Sequence, residues 1–376
     1  MTENILDKTN LDDVSTEAVV DIVSDVMDVG NIVAGKDKEL FRIRGKLFVE
    51  SDEAYDRLSV AMGQIGLTPL FRIDKQDDVV IVVRSVPVEK NGFPWLNILL
   101  FVITLFTVLQ TGGWAFALCL MGILLAHEMG HYIGARKYGA SVSLPYFIPF
   151  PGGLLGTMGA VIIHKAQMRN KRELLDVAVS GPLAGLAVAI PVVVIGLHLS
   201  EVSPVPVSGF LLEGNSIMYL AAKYLVFGEL LPKPIDYGQV PAVIHWVVFF
   251  FTGNPYPGGG TDVFVHPVAM AGWAGMLITG LNLIPAGQLD GGHILYALFG
   301  KSAKKMGPLV VVLLAVAGYF VWSGWWIWAG LLYVFGKNHP EVLDEITELD
   351  DYRRSLAFVG LILFFLLIAP VPIMEY

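Results

Sequence analysis

One cysteine is all the chain offers, so an internal disulfide is excluded, and Cys119, inside an apolar run, leaves the redox compartment open. Basic residues are also scarce, with 25 Lys and Arg against 34 Asp and Glu. That acidic balance argues against nucleic acid as a partner. The opening stretch MTENILDKTNLDDVSTEAVVDIVSDVMDVG has no basic start followed by an apolar core, so no signal peptide is expected. It is also too acidic for an organelle transit peptide. Charge of either sign thins out after residue 92. Residues 1–92 hold 11 basic and 18 acidic side chains, and the rest of the chain holds 14 and 16.

What remains is hydrophobic. Apolar residues make up 55% of the chain and charged ones 16%, below the roughly 25% of an average soluble domain. The uneven distribution predicts a small acidic soluble module followed by a polytopic membrane domain. The expected divisions are an acidic N-terminal segment at 1–35, an α+β module at 36–92 and a membrane domain at 93–376 with its core at 114–300. Thr16 to Met27 reads as a short amphipathic helix. From Lys36 the pattern is strand, helix, strand, strand. ELFRIRGKLFV alternates, SDEAYDRLSVAMGQIG opens on a Ser/Asp cap and closes on Gly66, and PLFRID and VVIVVRSV flank a polar turn.

Beyond Pro94 the fold class expected is mainly α-helical, with about six to eight spans and a membrane-associated β-hairpin or loop. Spans are predicted near 95–111, 114–136, 174–198, 267–287, 307–323, 324–336 and 355–374. Two apolar pieces, 216–231 and 239–252, are short for a perpendicular crossing. Arg136-Lys137, RNKR at 169–172, Lys301, Lys304-Lys305, Lys337 and Arg353-Arg354 fall on one side of this layout. The positive-inside rule makes that side the cytoplasm of a cell-membrane protein, with the N-terminal module there too. Trp322, Trp325, Trp326 and Trp328 suit an interfacial aromatic belt. The acidic HPEVLDEITELDDYRR at 339–354 reads as a solvated connector.

Against this apolar background, LLAHEMGHYIGARKYG at 124–139 stands out. On a helix, residues i and i+4 share a face, so His127 and His131 can present two imidazoles to one tetrahedral ion, with Glu128 beside it. This is the H-E-x-x-H pattern of zinc hydrolases, whose glutamate is the general base. Ionisable residues inside a span are costly, which raises the pattern's specificity above histidines that merely bridge helices. A catalytic zinc needs a third protein ligand. Asp290 is the only acidic residue between Asp262 and Glu341, and a lone carboxylate in lipid calls for a cation. His293 and His266 compete for that place.

HEMGH at 127–131 together with LDGG at 289–292 resembles the site-two protease family of intramembrane zinc metalloproteases, in the branch with a soluble N-terminal module and no PDZ domain. SGPLAG at 180–185 and NLIPAGQLDGGH at 282–293 are similar to further elements of that family, although Gln288-Leu289 stands where some relatives have Asn-Pro. The resemblance implies one Zn2+ per chain held by His127, His131 and Asp290. Glu128 would then be the general base, Asn282 an oxyanion donor, and the substrate a transmembrane protein or peptide within the lipid bilayer. Cleaving a helical substrate requires unwinding it. In LPYFIPFPGGLLGTMGAVIIH, three prolines exclude a regular helix and TMGAVII reads as a strand. Its edge, with Gly156, Thr157, Met158 and Gly159, is the expected substrate-binding strand. Gly181 and Gly185 of GPLAG read as helix packing without chemistry. The alternative function is a zinc-stabilised membrane transporter or chaperone that does not cut.

Overall fold

A computed structural model describes residues 15–35, 38–86, 93–206, 211–255, 257–336 and 341–375. The acidic residues 1–14 and the expected basic and connector positions Lys337 and His339 lie outside them. Two compact units form: residues 1–89 with 167–172 and 341–348, and the rest of the chain.

In the first unit, α1 (Thr16–Ser24) precedes β1 (Met27–Ala34) and β2 (Glu39–Leu47), and α2 (Ser51–Gly63) leads to β3 (Leu67–Asp74) and β4 (Asp77–Arg84). The sheet order is β1-β2-β4-β3, with every neighbouring pair antiparallel. Val19 and Val23 of α1 and Leu58 and Met62 of α2 pack with Met27, Ile43, Phe71 and Val80 in its core. β1 is absent from the sequence expectation. Only Met27 of that strand is fully buried, and a bulge between Val29 and Asn31 breaks the alternation that would signal it.

Residues 341–348 correct the sequence reading more sharply, because they are not a solvated connector. Phe71 N donates to Leu343 O at 2.8 Å and Glu345 N to Phe71 O at 3.2 Å, extending the sheet past β3. Leu343 N and Asp344 N donate in turn to Met168 O and Arg169 O at 3.0 and 2.6 Å. Asp344 is fully buried, yet it accepts from Ser51 Oγ at 3.0 Å, Ile346 N at 2.9 Å, Thr347 N at 3.1 Å and Thr347 Oγ1. Arg72 reaches Glu341 and Glu345, and Arg169 reaches Asp52 and Asp56. A segment that reads as soluble for its acids is thus held by donors that answer them.

The second unit opens with α3 (Trp95–Lys137), whose backbone breaks at Gly113, φ 73° and ψ −175°, between two spans expected from the sequence. A hairpin of β5 (Tyr146–Pro149) and β6 (Thr157–Val161) follows, then α4 (Lys171–His198). β7 (Glu201–Pro204) and β8 (Leu211–Glu213) lead to α5 (Ile217–Phe227) and α6 (Ala242–Thr252). These two helices have 11 residues each, so at 1.5 Å per residue they reach only about 16 Å. Then come β9 (Thr261–Phe264), which pairs with β7, and α7 (Pro267–Asn282). α8 (Asp290–Phe299), a 3-10 turn at 300–305, α9 (Met306–Phe320), α10 (Trp325–Phe335), α11 (Asp351–Leu367) and β10 (Ile373–Glu375), paired with β8, complete the chain.

Among the described residues three helical stretches are long and apolar enough to cross a membrane: 95–137, 171–198 and 290–320. α7 stops at Asn282 and α11 at Leu367, short of the ends expected at 287 and 374. Prolines explain both, since Pro285 and then Pro370 and Pro372 deny the helix its donors. Trp325 is buried, and its Nε1 donates to Pro370 O at 2.7 Å. Trp326 is exposed.

α7 is the central post, buried along nearly its whole length. Its glycines set the spacing: Gly272 lies against Val193 of α4, Gly275 against Ile123 of α3 and Gly280 against Leu367 of α11. Without side chains there, helices close to backbone distance, which is how bundles gain dispersion contacts in lipid.

A buried charge network lies in the same unit. Lys223 of α5 is fully buried, with its Nζ 3.1 Å from Glu213 Oε1 and 3.4 Å from Asp262 Oδ1. Tyr219 donates its hydroxyl to Glu213 at 3.0 Å. Burial pushes the Asp262 carboxyl up to about 6, against the opposing pull of the Lys223 ammonium. Lys223→Met should therefore destabilise the protein by about 3–5 kcal/mol, because two buried carboxylates lose their cation. A carboxyl raised above its unfolded value takes up its proton more readily in the fold, so folding gains as pH falls through that value. Thermal unfolding in detergent should show a smaller defect near about pH 5 than near about pH 8. An equal defect at both would remove Asp262 from the account.

Candidate metal centre

The second half of α3 carries His127, Glu128 and His131, all buried, and α8 begins at Asp290. Helical spacing places the two imidazoles one turn apart and edge to face, with Nε2 atoms separated by 3.2 Å. Asp290 meets them from the other side. Its Oδ2 lies 3.2 Å from His127 Nε2 and its Oδ1 3.3 Å from His131 Nε2. These are the three residues whose ligand atoms cluster among the described residues.

Two structural details aim these donors. His131 Nδ1 lies 2.8 Å from Val177 O. A carbonyl only accepts, so Nδ1 carries the proton and Nε2 keeps its lone pair for a metal. Asp290 is fixed by the two glycines after it. A side chain on Gly291 would strike the carbonyl of Leu283, and one on Gly292 that of Gly287. The 283–289 turn therefore folds directly onto the start of α8.

α4 supplies the wall behind the histidines. A Cβ on Gly181 would run into the His131 ring, and one on Gly185 would sit 3.1 Å from His127 Nδ1. A Cβ on Gly130 would lie 2.5 Å from Ser180 O. The small residues of GPLAG do pack helices, as the sequence suggests, but what they pack against is the imidazole pair. Sequence reading gives these glycines no such place, because spacing alone does not say which helix faces which.

The donor set fits a tetrahedral ion. Bonds of about 2.0–2.1 Å at the tetrahedral angle put donors about 3.3 Å apart; the two imidazole Nε2 atoms are 3.2 Å apart, and each faces its own Asp290 oxygen, Oδ2 at 3.2 Å from His127 and Oδ1 at 3.3 Å from His131. Two nitrogen lone pairs and a carboxylate converging this closely in a dry interior call for positive charge between them.

The other expected positions lie elsewhere. Asn282, half-buried, is the last residue of α7. His266 caps the start of α7, its Nδ1 accepting from Val268 N at 3.3 Å, which removes it as a rival ligand. His293 lies one turn into α8 and is likewise outside the trio. In the hairpin, β6 pairs only with β5 among the described residues, and Met158 is exposed on it. Gly156 has φ 70°, and its carbonyl accepts from Thr107 Oγ1 of α3 at 2.7 Å. A Cβ there would lie 2.6 Å from Thr107 O, so Gly156 seats the hairpin on α3. Thr157, buried, donates to Ile148 O at 2.8 Å and accepts from Gly159 N at 3.0 Å.

Comparison with known proteins identifies the family. The signature of peptidase family M50 matches residues 115–323. A protein of Arabidopsis thaliana described as probable zinc metalloprotease EGY1, chloroplastic, is 30% identical over 67% of this chain and 42% of its own length. Probable zinc metalloprotease EGY2, chloroplastic, of the same plant is 28% identical over 83% of this chain and 49% of its own. Probable zinc metallopeptidase EGY3, chloroplastic, also of Arabidopsis thaliana, is 28% identical over 65% and 40%. The chain thus spans two fifths to half the length of these relatives. No solved structure matches. The chain belongs to peptidase family M50, the site-two protease family that HEMGH and LDGG resemble.

Gly181→Ala should push the His131 ring off its donor position. Metal content of the purified protein should fall, with affinity down about 10- to 100-fold. Full metal retention in Gly181→Ala would contradict the close approach of α4.

Proposed function

We propose that the chain is an intramembrane zinc metalloprotease that hydrolyses peptide bonds of transmembrane proteins or peptides. The observation that carries this reading is the convergence of the His127 and His131 Nε2 atoms and the Asp290 carboxylate, with Glu128 next in sequence to His127. Those three would hold one Zn2+. Zinc bound there supplies Lewis-acid activation of water and of the scissile carbonyl.

The chain's own residues supply the rest. Glu128 takes the proton of the attacking water and returns one to the leaving amine, so its carboxylate must be free to titrate and cannot be a ligand. The Asn282 side-chain amide donates to the oxygen on which negative charge develops, a contribution of about 3 kcal/mol in comparable sites. The edge of β6 at Thr157, Met158 and Gly159, entered from Gly156, receives the unwound substrate backbone as an added strand. Thr157 uses its hydroxyl within the hairpin, which stiffens that edge.

The layout is a multi-pass protein of the cell membrane with six to eight spans and its N-terminal α+β module on the cytoplasmic side. Arg136-Lys137 support that orientation, lying nine residues beyond His127. At 1.5 Å per residue the metal ligands sit roughly 14 Å from the basic edge, within reach of water.

The test is wild type beside Glu128→Gln, purified in detergent. Zinc content should be equal, and cleavage of single-span test proteins should drop at least about 10²-fold in the variant. A zinc chelator should stop the wild type. Cutting that survives Glu128→Gln would overturn the mechanism.

A further inference from the structure

His131 takes its direction from α4, through the hydrogen bond of Nδ1 to Val177 O at 2.8 Å. Ser180 Oγ shares that carbonyl at 2.7 Å and lies 3.0 Å from Gly130 O, so the contact belongs to the α3–α4 seam. Wherever Val177 O moves, the imidazole must follow or lose its partner. The residue immediately before it, Asp176, is where three helices are tied together.

Asp176 takes a two-pronged grip from Arg353 of α11. Nε lies 3.0 Å from Oδ1 and 3.1 Å from Oδ2, and Nη2 lies 2.8 Å from Oδ2. Tyr138, at the end of α3, donates its hydroxyl to Asp176 Oδ2, and Arg353 Nη2 reaches the same hydroxyl at 3.4 Å. Arg353 Nη1 also bonds Asp350, which caps α11. The cluster is mostly shielded, with Asp176 and Arg353 side chains about a fifth to a quarter exposed (22% and 25%). Bidentate guanidinium–carboxylate pairs hold orientation as well as distance. A lysine in place of Arg353 would keep the charge and lose the fork.

From this geometry we infer that Tyr138, Asp176 and Arg353 are positioning residues for the metal centre. They pin α4 at residue 176 between the end of α3 and the start of α11, and so set the Val177 carbonyl that orients His131. None of the three touches the metal ligands. They act one residue away, through the backbone. The inference rests on the proposed metal site and adds a set of side chains that neither the H-E-x-x-H pattern nor the LDGG element contains.

The test uses the full chain in detergent, with Zn2+ and Co2+ as probes. Zinc affinity is measured by chelator competition, and the visible absorption of the cobalt form reads ligand geometry. Asp176→Asn and Arg353→Lys should each weaken zinc about 10- to 100-fold, shift the cobalt bands, and lower kcat more than they raise KM. The substrate edge of β6 is untouched by either change. Tyr138→Phe removes one hydroxyl and should move the same readouts in the same direction by less; it decides the question if the other two do not fold.

If all folded variants keep wild-type zinc affinity and cobalt spectrum while losing only thermal stability, the cluster is an ordinary brace and the inference is overturned. A wild type that binds zinc stoichiometrically and cuts, beside variants with unaltered metal properties, defeats the inference alone. A wild type that binds no zinc defeats the metal-site reading and the inference with it.

Discussion

A carboxylate held against two imidazoles inside an apolar bundle is the constraint on which the second unit depends. Removing Asp290 and the two histidines from water is costly, and it is tolerable only if charge is balanced at atomic distances. Balance at that range requires the backbones to come close. Gly181 and Gly185 bring α4 up to the histidines, Gly291 and Gly292 fold the 283–289 turn onto α8, and Gly275 brings α7 to α3. Gly181, Gly185, Gly291 and Gly292 thus sit where ligand-bearing residues from two helices are brought together.

The candidate site is legible in the sequence to the extent that its chemistry is local or rare. His127 and His131 share a helical face by spacing alone, and Asp290 is conspicuous because apolar sequence surrounds it. The supporting residues were not legible. Val177 contributes only a carbonyl, which every residue has. Asp176 and Arg353 lie 177 residues apart, and each looks like ordinary charge at a helix end. Gly181 shows its role only once the helix it faces is known. Long-range register, unlike periodicity, leaves no mark in a single sequence.

The fold divides in the same way. α2, β3 and β4 follow from alternation and caps, while β1 escaped because an edge strand with a bulge and one buried side chain has little pattern to read. The membrane helices follow from hydropathy, but their ends follow from prolines and from neighbours. Lys223 illustrates the limit. Within a connection whose charges suggest exposure, it is fully buried because Glu213 and Asp262 converge on it from two other elements.

The stretch 341–348 carries this argument furthest. Its acids predict solvent, and composition has no means of showing that Asp344 meets two backbone amides, Ser51 and Thr347. Once those donors are supplied, the segment is a strand-like addition to the edge of the N-terminal sheet, with residues 168–170 added beyond it. Both pieces of chain then continue into helices: residues 167–172 into α4, and 341–348 to the cap of α11 at Asp350. These are the two helices that Asp176 and Arg353 join.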